Sequence, residues 1–293
     1  MDLPKWFYDR LRSGPPLLLD GATGTELERR GVATPAPLWS AAALLDQPQI
    51  VERIHADYVA AGAEILVANT FRTGPRALRA AGIEQRGPEL NRLAVRLGRR
   101  AAGGRDVLVA ASVAPVEDCY SPQLVPDEPT LVSEHGRLIR WLAGAAPDLI
   151  WIETMGTVRE ARAAAAAAAA AGLPFVVSLI AGESGALLSG EPLEAAVAAV
   201  EPSGPLAIGL NCIPPRGLTA LLPRLRRATG RPLAAYAHID NARPIPGWRY
   251  AERMTPEEYA AAAGAWVDLG VAIIGGCCGT TPAHIAALRR RLA

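Results

Sequence analysis

The run Val271-Ala272-Ile273-Ile274-Gly275-Gly276-Cys277-Cys278-Gly279-Thr280-Thr281-Pro282 joins a short apolar stretch to the start of a predicted helix. Val271–Ile274 predicts a buried strand. Thr281–Leu292 predicts a helix, because Thr is a favourable N-cap and Pro a favourable first helical residue. Similar apolar runs precede it at Pro16–Leu19, Ile65–Ala68, Val107–Ala111, Leu149–Ile152, Phe175–Leu179, Leu206–Leu210 and Leu233–Ala237. They are continuous rather than alternating, which is typical of parallel strands covered on both faces.

Helical periodicity fills several gaps between these runs, at Pro48–Ala61, Thr157–Ala171 and Pro256–Leu269. Strands that alternate with helices predict an α/β protein. Eight such units in about 250 residues favour a single-domain (β/α)8 TIM barrel. A doubly wound open sheet is the competitor, but no Gly-x-Gly-x-x-Gly follows the first strand. We therefore assign residues 1–293 to one domain with its core at 15–293, and Pro122–Pro129 to a long loop after the third strand.

Composition disfavours several classes of function. The net charge of +1 gives no electrostatic case for a nucleic-acid partner. No segment reaches the ~18 apolar residues that a membrane span needs, and Met1–Gly14 lacks the apolar centre of a signal peptide. Only four cysteines occur and two are neighbours, so a reducing compartment fits better than a disulfide framework. We expect a cytoplasmic monomer or homo-oligomer whose partners are small molecules.

Polar residues follow the predicted strands: Asp20, Asn69-Thr70, Ser112, Glu153-Thr154, Ser178, Asn211-Cys212, His238 and Cys277-Cys278. In a barrel the carboxyl ends of all strands open onto one face, where catalytic residues are placed. Ser112, Ser178 and His238 are each open to a plainer interpretation as turn or cap residues. Asp20 and Glu153 are less so, because an unpaired carboxylate beside a buried apolar run would be costly.

Three cysteines, Cys212, Cys277 and Cys278, come directly after predicted strands. Three thiolates leave one position open on a tetrahedral zinc ion, as a catalytic zinc site requires. The glycines around the neighbouring pair allow the backbone to turn so that both side chains face one way, whereas a disulfide between neighbours would be strained. Alternatively, each cysteine is a small core hydrophobe. The residues alone favour a metal or nucleophile site.

The segment Asp20-Gly21-Ala22-Thr23-Gly24-Thr25 follows the first predicted strand. Its successive backbone N–H groups are able to hold an anion such as a carboxylate. A glycine-permitted turn without a ligand is an equal alternative.

Six motifs in chain order carry a family resemblance: Asp20-Gly21-Ala22-Thr23-Gly24-Thr25, His55-x-x-Tyr58-x-x-Ala61-Gly62-Ala63, Asn69-Thr70-Phe71, Glu153-Thr154, Gly209-Leu210-Asn211-Cys212 and Gly275-Gly276-Cys277-Cys278-Gly279-Thr280-Thr281-Pro282. Together they resemble the homocysteine S-methyltransferase family over nearly the whole chain. The resemblance implies a zinc-dependent (β/α)8 barrel. In it, Cys212, Cys277 and Cys278 hold Zn²⁺, which takes the thiol of the methyl acceptor as its next ligand.

The same resemblance implies roles for residues around the metal. Glu153 would bind the ammonium group of the acceptor, and the Asp20–Thr25 segment its carboxylate. We assign Asp20, Glu153 and Asn211 as catalytic residues. The predicted substrate-binding residues are Gly21, Thr23, Gly24, Asn69, Arg72 and Ser112. The implied reaction transfers a methyl group from a small onium donor to the thiolate of homocysteine, or of a related thiol or selenol, without a general base.

Three positions depart from the family pattern. Arg72 stands where some relatives place a Tyr zinc ligand, Ser112-Val113-Ala114-Pro115 replaces Ser-x-Gly-Pro, and Ala237-His238-Ile239-Asp240 replaces Pro-Asn-Ala-Gly. We expect these positions to form the donor side of the pocket, with Arg72 and Asp240 either paired or binding a carboxylate of the donor. This expectation favours sulfonium donors such as S-methylmethionine or S-adenosylmethionine over betaine, whose carboxylate lies close to its onium centre. The aromatic candidates to contact an onium group are Trp39, Tyr120, Tyr236 and Trp248.

Two other functions use the same residues. In an aldolase or lyase barrel, Gly275–Thr281 would bind phosphate at the start of the last helix, and no zinc is predicted. A non-catalytic zinc or redox protein would use the three thiols in a closed site with four ligands. The Asn-Cys and Gly-Gly-Cys-Cys-Gly motifs together favour the methyltransferase.

Overall fold

The computed structural model describes residues 3–239 and 253–292, in which eight parallel strands form one sheet. The strands are β1 (Leu17–Leu18), β2 (Ile65–Ala68), β3 (Leu108–Val113), β4 (Leu149–Met155), β5 (Phe175–Leu179), β6 (Ala207–Asn211), β7 (Leu233–Ala237) and β8 (Val271–Gly276). Their order in the sheet is β1-β8-β7-β6-β5-β4-β3-β2. A further parallel bridge joins Leu19 to Ile65, and the backbone N–H of Asp20 donates to the carbonyl oxygen of Ile65. The sheet therefore closes on itself, and the predicted (β/α)8 barrel is confirmed.

Helices follow the strands and cover the outside of the sheet. They are α1 (Lys5–Ser13), α2 (Thr23–Arg29), α3 (Ala43–Asp46), α4 (Pro48–Ala60), α5 (Pro75–Ala80), α6 (Gly87–Ala102), α7 (Glu128–Ala145), α8 (Val158–Ala170), α9 (Leu193–Val200), α10 (Pro215–Ala228), α11 (Pro256–Asp268) and α12 (Pro282–Leu292). The four helices predicted from the sequence correspond to α4, α8, α11 and α12. Thr157 and Thr255 cap α8 and α11 by accepting a hydrogen bond from the third helical N–H. Within the described part of the chain, none of these helices has both the length and the apolar character needed to cross a membrane.

Several strands run one to three residues further than the apolar pattern predicts. The prediction ended β3, β4 and β6 just before their first polar side chain, whereas backbone pairing continues past it, as in the register of Ser112 with Trp151. Consequently Ser112, Glu153 and Asn211 lie inside β3, β4 and β6 rather than in the following loops. Ser178 lies inside β5, whose bounds are those predicted. Thr23 is the first residue of α2 rather than part of the predicted loop.

Helix α1 closes the amino-terminal end of the barrel. Its Phe7 and Leu11 are buried in one cluster with Leu17 and Ile65 of the barrel interior. The predicted core began at residue 15, just before the first apolar run. The structure adds α1 to that core, since its apolar face packs against the strand starts. A larger apolar layer lies between the sheet and the surrounding helices.

Candidate active site

A cavity of about 450 Å³ opens at the carboxyl ends of the strands. Its lining includes most of the predicted site residues: Asp20, Gly21, Thr23, Gly24, Asn69, Ser112, Glu153, Cys212, Cys277 and Cys278. Among the described residues that line the cavity, Asp20, Asp118 and Glu153 are carboxylic acids and none is Lys, Arg or His. The lining is therefore suited to a small ligand that carries positive charge.

The three predicted cysteines meet in this cavity. Their Sγ atoms all lie within 4.8 Å of one another, and those of Cys212 and Cys278 are 3.9 Å apart. Tetrahedral ligation with metal–sulfur distances of ~2.3 Å spaces sulfur atoms about 3.8 Å apart. All three thiols are free of disulfides. The cluster therefore fits a zinc ion with three sulfur ligands and one open position.

The backbone around these cysteines is conformationally restricted. Cys212 follows β6 with φ 55°, in the left-handed region that residues with a side chain rarely adopt. A Cβ added to Gly275 would lie 2.6 Å from Leu19 Cβ, and one added to Gly276 would lie 2.3 Å from Thr280 Oγ1. Only glycine fits at these two positions. Because neither residue has a side chain, the end of β8 packs closely against Leu19 and Thr280. Cys277 and Cys278, which follow, reach the cavity.

Two side chains contact Cys212 that the sequence did not assign to the metal site. The Tyr120 hydroxyl oxygen is 3.1 Å from Cys212 Sγ, and His238 Nδ1 is 3.6 Å from it. The sequence predicts Tyr120 only as an aromatic contact for the donor. It predicts His238 either as a turn or cap residue or as part of the donor side of the pocket. Hydrogen bonds from Cys212 and Cys277, with a further contribution from His238, hold the pKa of Cys278 well below its ordinary value. Hydrogen bonds among the thiols, together with burial, raise the pKa values of Cys212 and Cys277 well above their ordinary values. The metal-free cluster therefore favours a thiolate at Cys278, and the thiolate is the form that binds metals.

Glu153 lies on the cavity wall near the end of β4. Its Oε1 accepts a hydrogen bond from Ser112 Oγ at 2.5 Å, and its Oε2 accepts one from the Tyr236 hydroxyl at 3.3 Å. The Tyr236 oxygen in turn accepts from Trp151 Nε1 at 2.8 Å. Burial raises the pKa of Glu153 to about 7. A cation placed in the cavity would therefore favour the ionised carboxylate.

Asp20 lies at the start of the loop after β1, where its Oδ2 accepts a hydrogen bond from the backbone N–H of Val67 at 2.9 Å. Burial, with a contribution from the charge of Glu153, raises the pKa of Asp20 well above its ordinary value. Asn69 also lines the cavity, but its amide is held by Ser40, whose Oγ donates to Asn69 Oδ1 at 2.7 Å. A charge in the cavity would therefore change the protonation of Asp20. The Asn69 amide, in contrast, is already hydrogen-bonded to Ser40.

Asn211 does not line the cavity, although the sequence analysis placed it among the catalytic residues. Its Oδ1 accepts from the backbone N–H of Thr154, and its Nδ2 donates to Thr154 Oγ1, both at 2.9 Å. Thr154 has φ 62°, and Cys212, next to Asn211 in the chain, also has a positive φ. Asn211 therefore ties together two unusual backbone turns, and it is a positioning residue.

Arg72 is also outside the cavity lining. Its guanidinium carbon lies 4.2 Å from the centroid of the Trp39 ring, and its Nη1 donates to the carbonyl oxygen of Glu117 at 2.7 Å. The side chain is buried and turned toward the loop after β3. Arg72 is therefore not available in the cavity to bind a donor carboxylate, and its position gives no support to sulfonium donors over betaine. Asp240, the expected partner of Arg72, and Trp248, a predicted aromatic contact for the donor, lie outside the described residues.

Comparison with known proteins agrees with this geometry. The family described as homocysteine S-methyltransferase matches residues 17–292. The chain is 28% identical to a selenocysteine Se-methyltransferase of Brassica oleracea var. italica, over 96% of this chain and 90% of that protein. It is 26% identical to the homocysteine S-methyltransferase YbgG of Bacillus subtilis, over 92% of each. The metallated form of the homocysteine methyltransferase MmuM from Escherichia coli is similar in structure, with a TM-score of 0.83, 30% identity and coverage of 96% of this chain and 98% of that one. The chain therefore belongs to the homocysteine S-methyltransferase family, and it is a methyltransferase.

Proposed function

We propose that this enzyme transfers a methyl group from a small onium donor to the thiolate of homocysteine or a closely related thiol or selenol, with zinc as its metal. The observation that carries the proposal is the meeting of Cys212, Cys277 and Cys278 with the buried carboxyl group of Glu153 in one acid-lined cavity. Family membership disfavours the aldolase or lyase alternative and the non-catalytic zinc or redox alternative.

The donor set of this site suits zinc. Three thiolates with the spacing described above are soft ligands of the kind that zinc prefers, and they leave one position for a fourth ligand. Zinc held by Cys212, Cys277 and Cys278 would keep the sulfur of the acceptor deprotonated at neutral pH.

Glu153 is the group that we propose orients the acceptor. Ser112 and Tyr236 each donate one hydrogen bond to its carboxylate, which fixes the plane of the group. An ammonium group in the cavity would form a charge-assisted hydrogen bond with it. Within the Asp20–Thr25 segment, the backbone N–H groups of Gly21, Thr23 and Gly24 are the proposed site for the acceptor carboxylate, because these residues line the same cavity. The N–H groups of Asp20 and Ala22 already donate within the protein.

The remaining wall of the cavity supports a cationic donor. Trp39 and Phe71 stack with ring centroids 6.1 Å apart, and both line the cavity with Tyr120 and Tyr236. Aromatic faces and carboxylates attract an onium group. In the reaction, a lone pair of the acceptor sulfur forms a bond to the methyl carbon. The bond from that carbon to the onium atom breaks, and its electron pair stays on the leaving atom. The protein contributes by holding sulfur, carbon and leaving atom in line.

A reducing compartment such as the cytoplasm is the proposed location, because four free thiols would not persist under oxidising conditions.

The test of the proposed function combines two measurements. Metal analysis of the purified protein is expected to give one zinc per chain. A screen of betaine, S-methylmethionine and S-adenosylmethionine against homocysteine and selenocysteine, followed by mass spectrometry, is expected to show methylated acceptor. Absence of product with every pair, in protein that contains zinc, would reject the proposal.

A further inference from the structure

Tyr120 reaches the cysteine cluster from the loop between β3 and α7. Its ring packs in one buried cluster with Ile180, Leu188 and the three cysteines. Its hydroxyl oxygen lies 3.1 Å from Cys212 Sγ. As a ligand of the proposed zinc ion, Cys212 would be a thiolate with no proton to donate, so this hydrogen bond would run from the Tyr120 hydroxyl to the sulfur.

Arg72 holds the loop that carries Tyr120. Its Nη1 donates to the carbonyl oxygens of Pro115 and Glu117, at 3.4 and 2.7 Å. Asp118 closes the following turn, because its Oδ1 accepts from the backbone N–H of Tyr120 at 3.2 Å. The contacts of Arg72 and Asp118 therefore hold the backbone that leads to Tyr120.

A cavity that binds a methyl donor exposes the sulfur atoms of the enzyme to the same reaction. A lone pair of the Cys212 thiolate would attack the methyl carbon, and the bond from that carbon to the onium atom would break, leaving its electron pair on the donor. The product would be S-methylcysteine, a neutral thioether in place of a thiolate. Each such event would remove one of the three thiolates that the proposed metal site needs.

We propose that Tyr120, positioned by Arg72, protects Cys212 from methylation by donating a hydrogen bond to its sulfur. A thiolate that accepts a hydrogen bond is less basic, and thiolate nucleophilicity falls with basicity. The hydroxyl thus directs methyl transfer away from Cys212 and toward the acceptor. This inference rests on the proposed function, because a bound methyl donor is what brings an electrophile beside Cys212.

The experiment compares Tyr120→Phe with the unaltered protein, because Phe keeps the ring and removes only the hydroxyl group. Both proteins are loaded with zinc, their zinc content is measured, and they are treated with methyl iodide at one pH. Peptide mass spectrometry follows methylation of each cysteine over time. In the variant we expect methylation of Cys212 to be about fivefold to tenfold faster. The rate at Cys277 is expected to change less than twofold.

Two further variants sharpen the result. Tyr8→Phe, at a half-buried residue of α1, is the matched control and should leave all rates unchanged. Arg72→Met should accelerate methylation of Cys212 by a smaller factor than Tyr120→Phe, because the loop loses its anchor but keeps the hydroxyl group. An unchanged rate at Cys212 in the Tyr120 variant would overturn the inference. So would an equal rise at all three cysteines, since that result indicates a wider opening of the cavity.

The inference and the proposed function fail in different ways. If the acceptor is methylated but Tyr120→Phe leaves the reactivity of Cys212 unchanged, the function stands and the protective role is wrong. If no donor and acceptor pair gives product while Cys212 becomes more reactive, the hydrogen bond has the proposed effect on the sulfur and the proposed function is wrong.

Discussion

The two ends of the barrel bury different kinds of side chain: apolar side chains at the amino-terminal end and ionisable ones at the carboxyl-terminal end. At the amino-terminal end, Phe7 and Leu17 are completely buried within an apolar cluster. At the carboxyl-terminal mouth, the ionisable side chain of Glu153 is also largely buried. Thr154 and Cys212 at the same end have left-handed backbone angles. Burying a carboxylate and holding such a backbone both cost free energy. The apolar end therefore stabilises the fold, whereas the mouth lowers the stability of the protein and holds its reactive groups.

Removing a sulfur from the mouth should have the largest effect on activity. Cys277→Ala is expected to lose zinc and to lower kcat/KM by more than about 10³-fold, because two thiolates do not make a tight site. Its melting temperature in the metal-free form should stay close to that of the unaltered protein. Zinc analysis and steady-state kinetics check this. The matched control is Cys119→Ala, a fourth cysteine in the cavity lining but outside the cluster. Full zinc content in Cys277→Ala would contradict the assignment.

Removing a large side chain from the amino-terminal end should affect stability alone. Phe7→Ala is expected to lower the free energy of unfolding by about 3–5 kcal/mol, since it leaves a cavity under the barrel. KM and kcat of the folded fraction should remain within twofold, because α1 lies at the far end from the mouth. Urea denaturation gives the stability. Lys5→Ala, on the exposed face of the same helix, is the control and should change it by less than about 0.5 kcal/mol.

Glu153→Gln should weaken binding of the acceptor and raise the stability of the protein. The acceptor KM is expected to rise about 30- to 100-fold, because a charge-assisted hydrogen bond is lost, while the donor KM stays within threefold. At pH 8 the variant should be more stable by about 1–3 kcal/mol, since the ionised carboxyl group is no longer buried. Glu134→Gln, on α7 away from the mouth, should leave both KM values unchanged. Equal effects on both substrates would assign Glu153 to structure.

The raised pKa of Glu153 predicts a pH dependence for both properties. In its proposed role the carboxylate binds the ammonium group of the acceptor, so the acceptor KM should rise by up to tenfold per pH unit as pH falls below about 7. The folded protein holds this proton more tightly than the unfolded chain. Its contribution to stability is therefore present below the ordinary glutamate pKa and is lost as pH rises through about 7. In Glu153→Gln both dependences should be reduced, and a KM profile identical to that of the unaltered enzyme would contradict the assignment.

The smallest effects are expected at two glycines beside the mouth. In Gly24→Ala the nearest atom to the new Cβ is Ser40 Cβ at 3.9 Å, so the methyl group fits and should stabilise α2 by about 0.5–1 kcal/mol. The acceptor KM should nevertheless rise a few-fold, because the methyl group lies beside the proposed carboxylate site. In Gly21→Ala the new Cβ would lie 2.8 Å from Thr280 Oγ1, so this change should destabilise the protein. A Gly24 variant with an unaltered acceptor KM would place the carboxylate elsewhere.

The sequence by itself determined the barrel and the face on which its polar residues meet. Apolar runs and helix caps are local signals, so the strands and the starts of α8 and α12 were predictable to within a few residues. Parallel strands then bring Glu153, Cys212 and Cys277 to one end without further information. The ends of the strands were less predictable, because backbone pairing continues past the first polar side chain.

Only the tertiary structure decided which side chains touch. Tyr120 and Cys212 are 92 residues apart in the chain, and no local pattern links a loop after β3 to the end of β6. Arg72 follows a strand as the site residues do, yet it turns away from the cavity toward the Trp39 ring and the backbone of Glu117. The side-chain type at a strand end fixes its chemistry. The direction it faces depends on the loops packed around it, because buried polar groups turn toward whichever partners satisfy them.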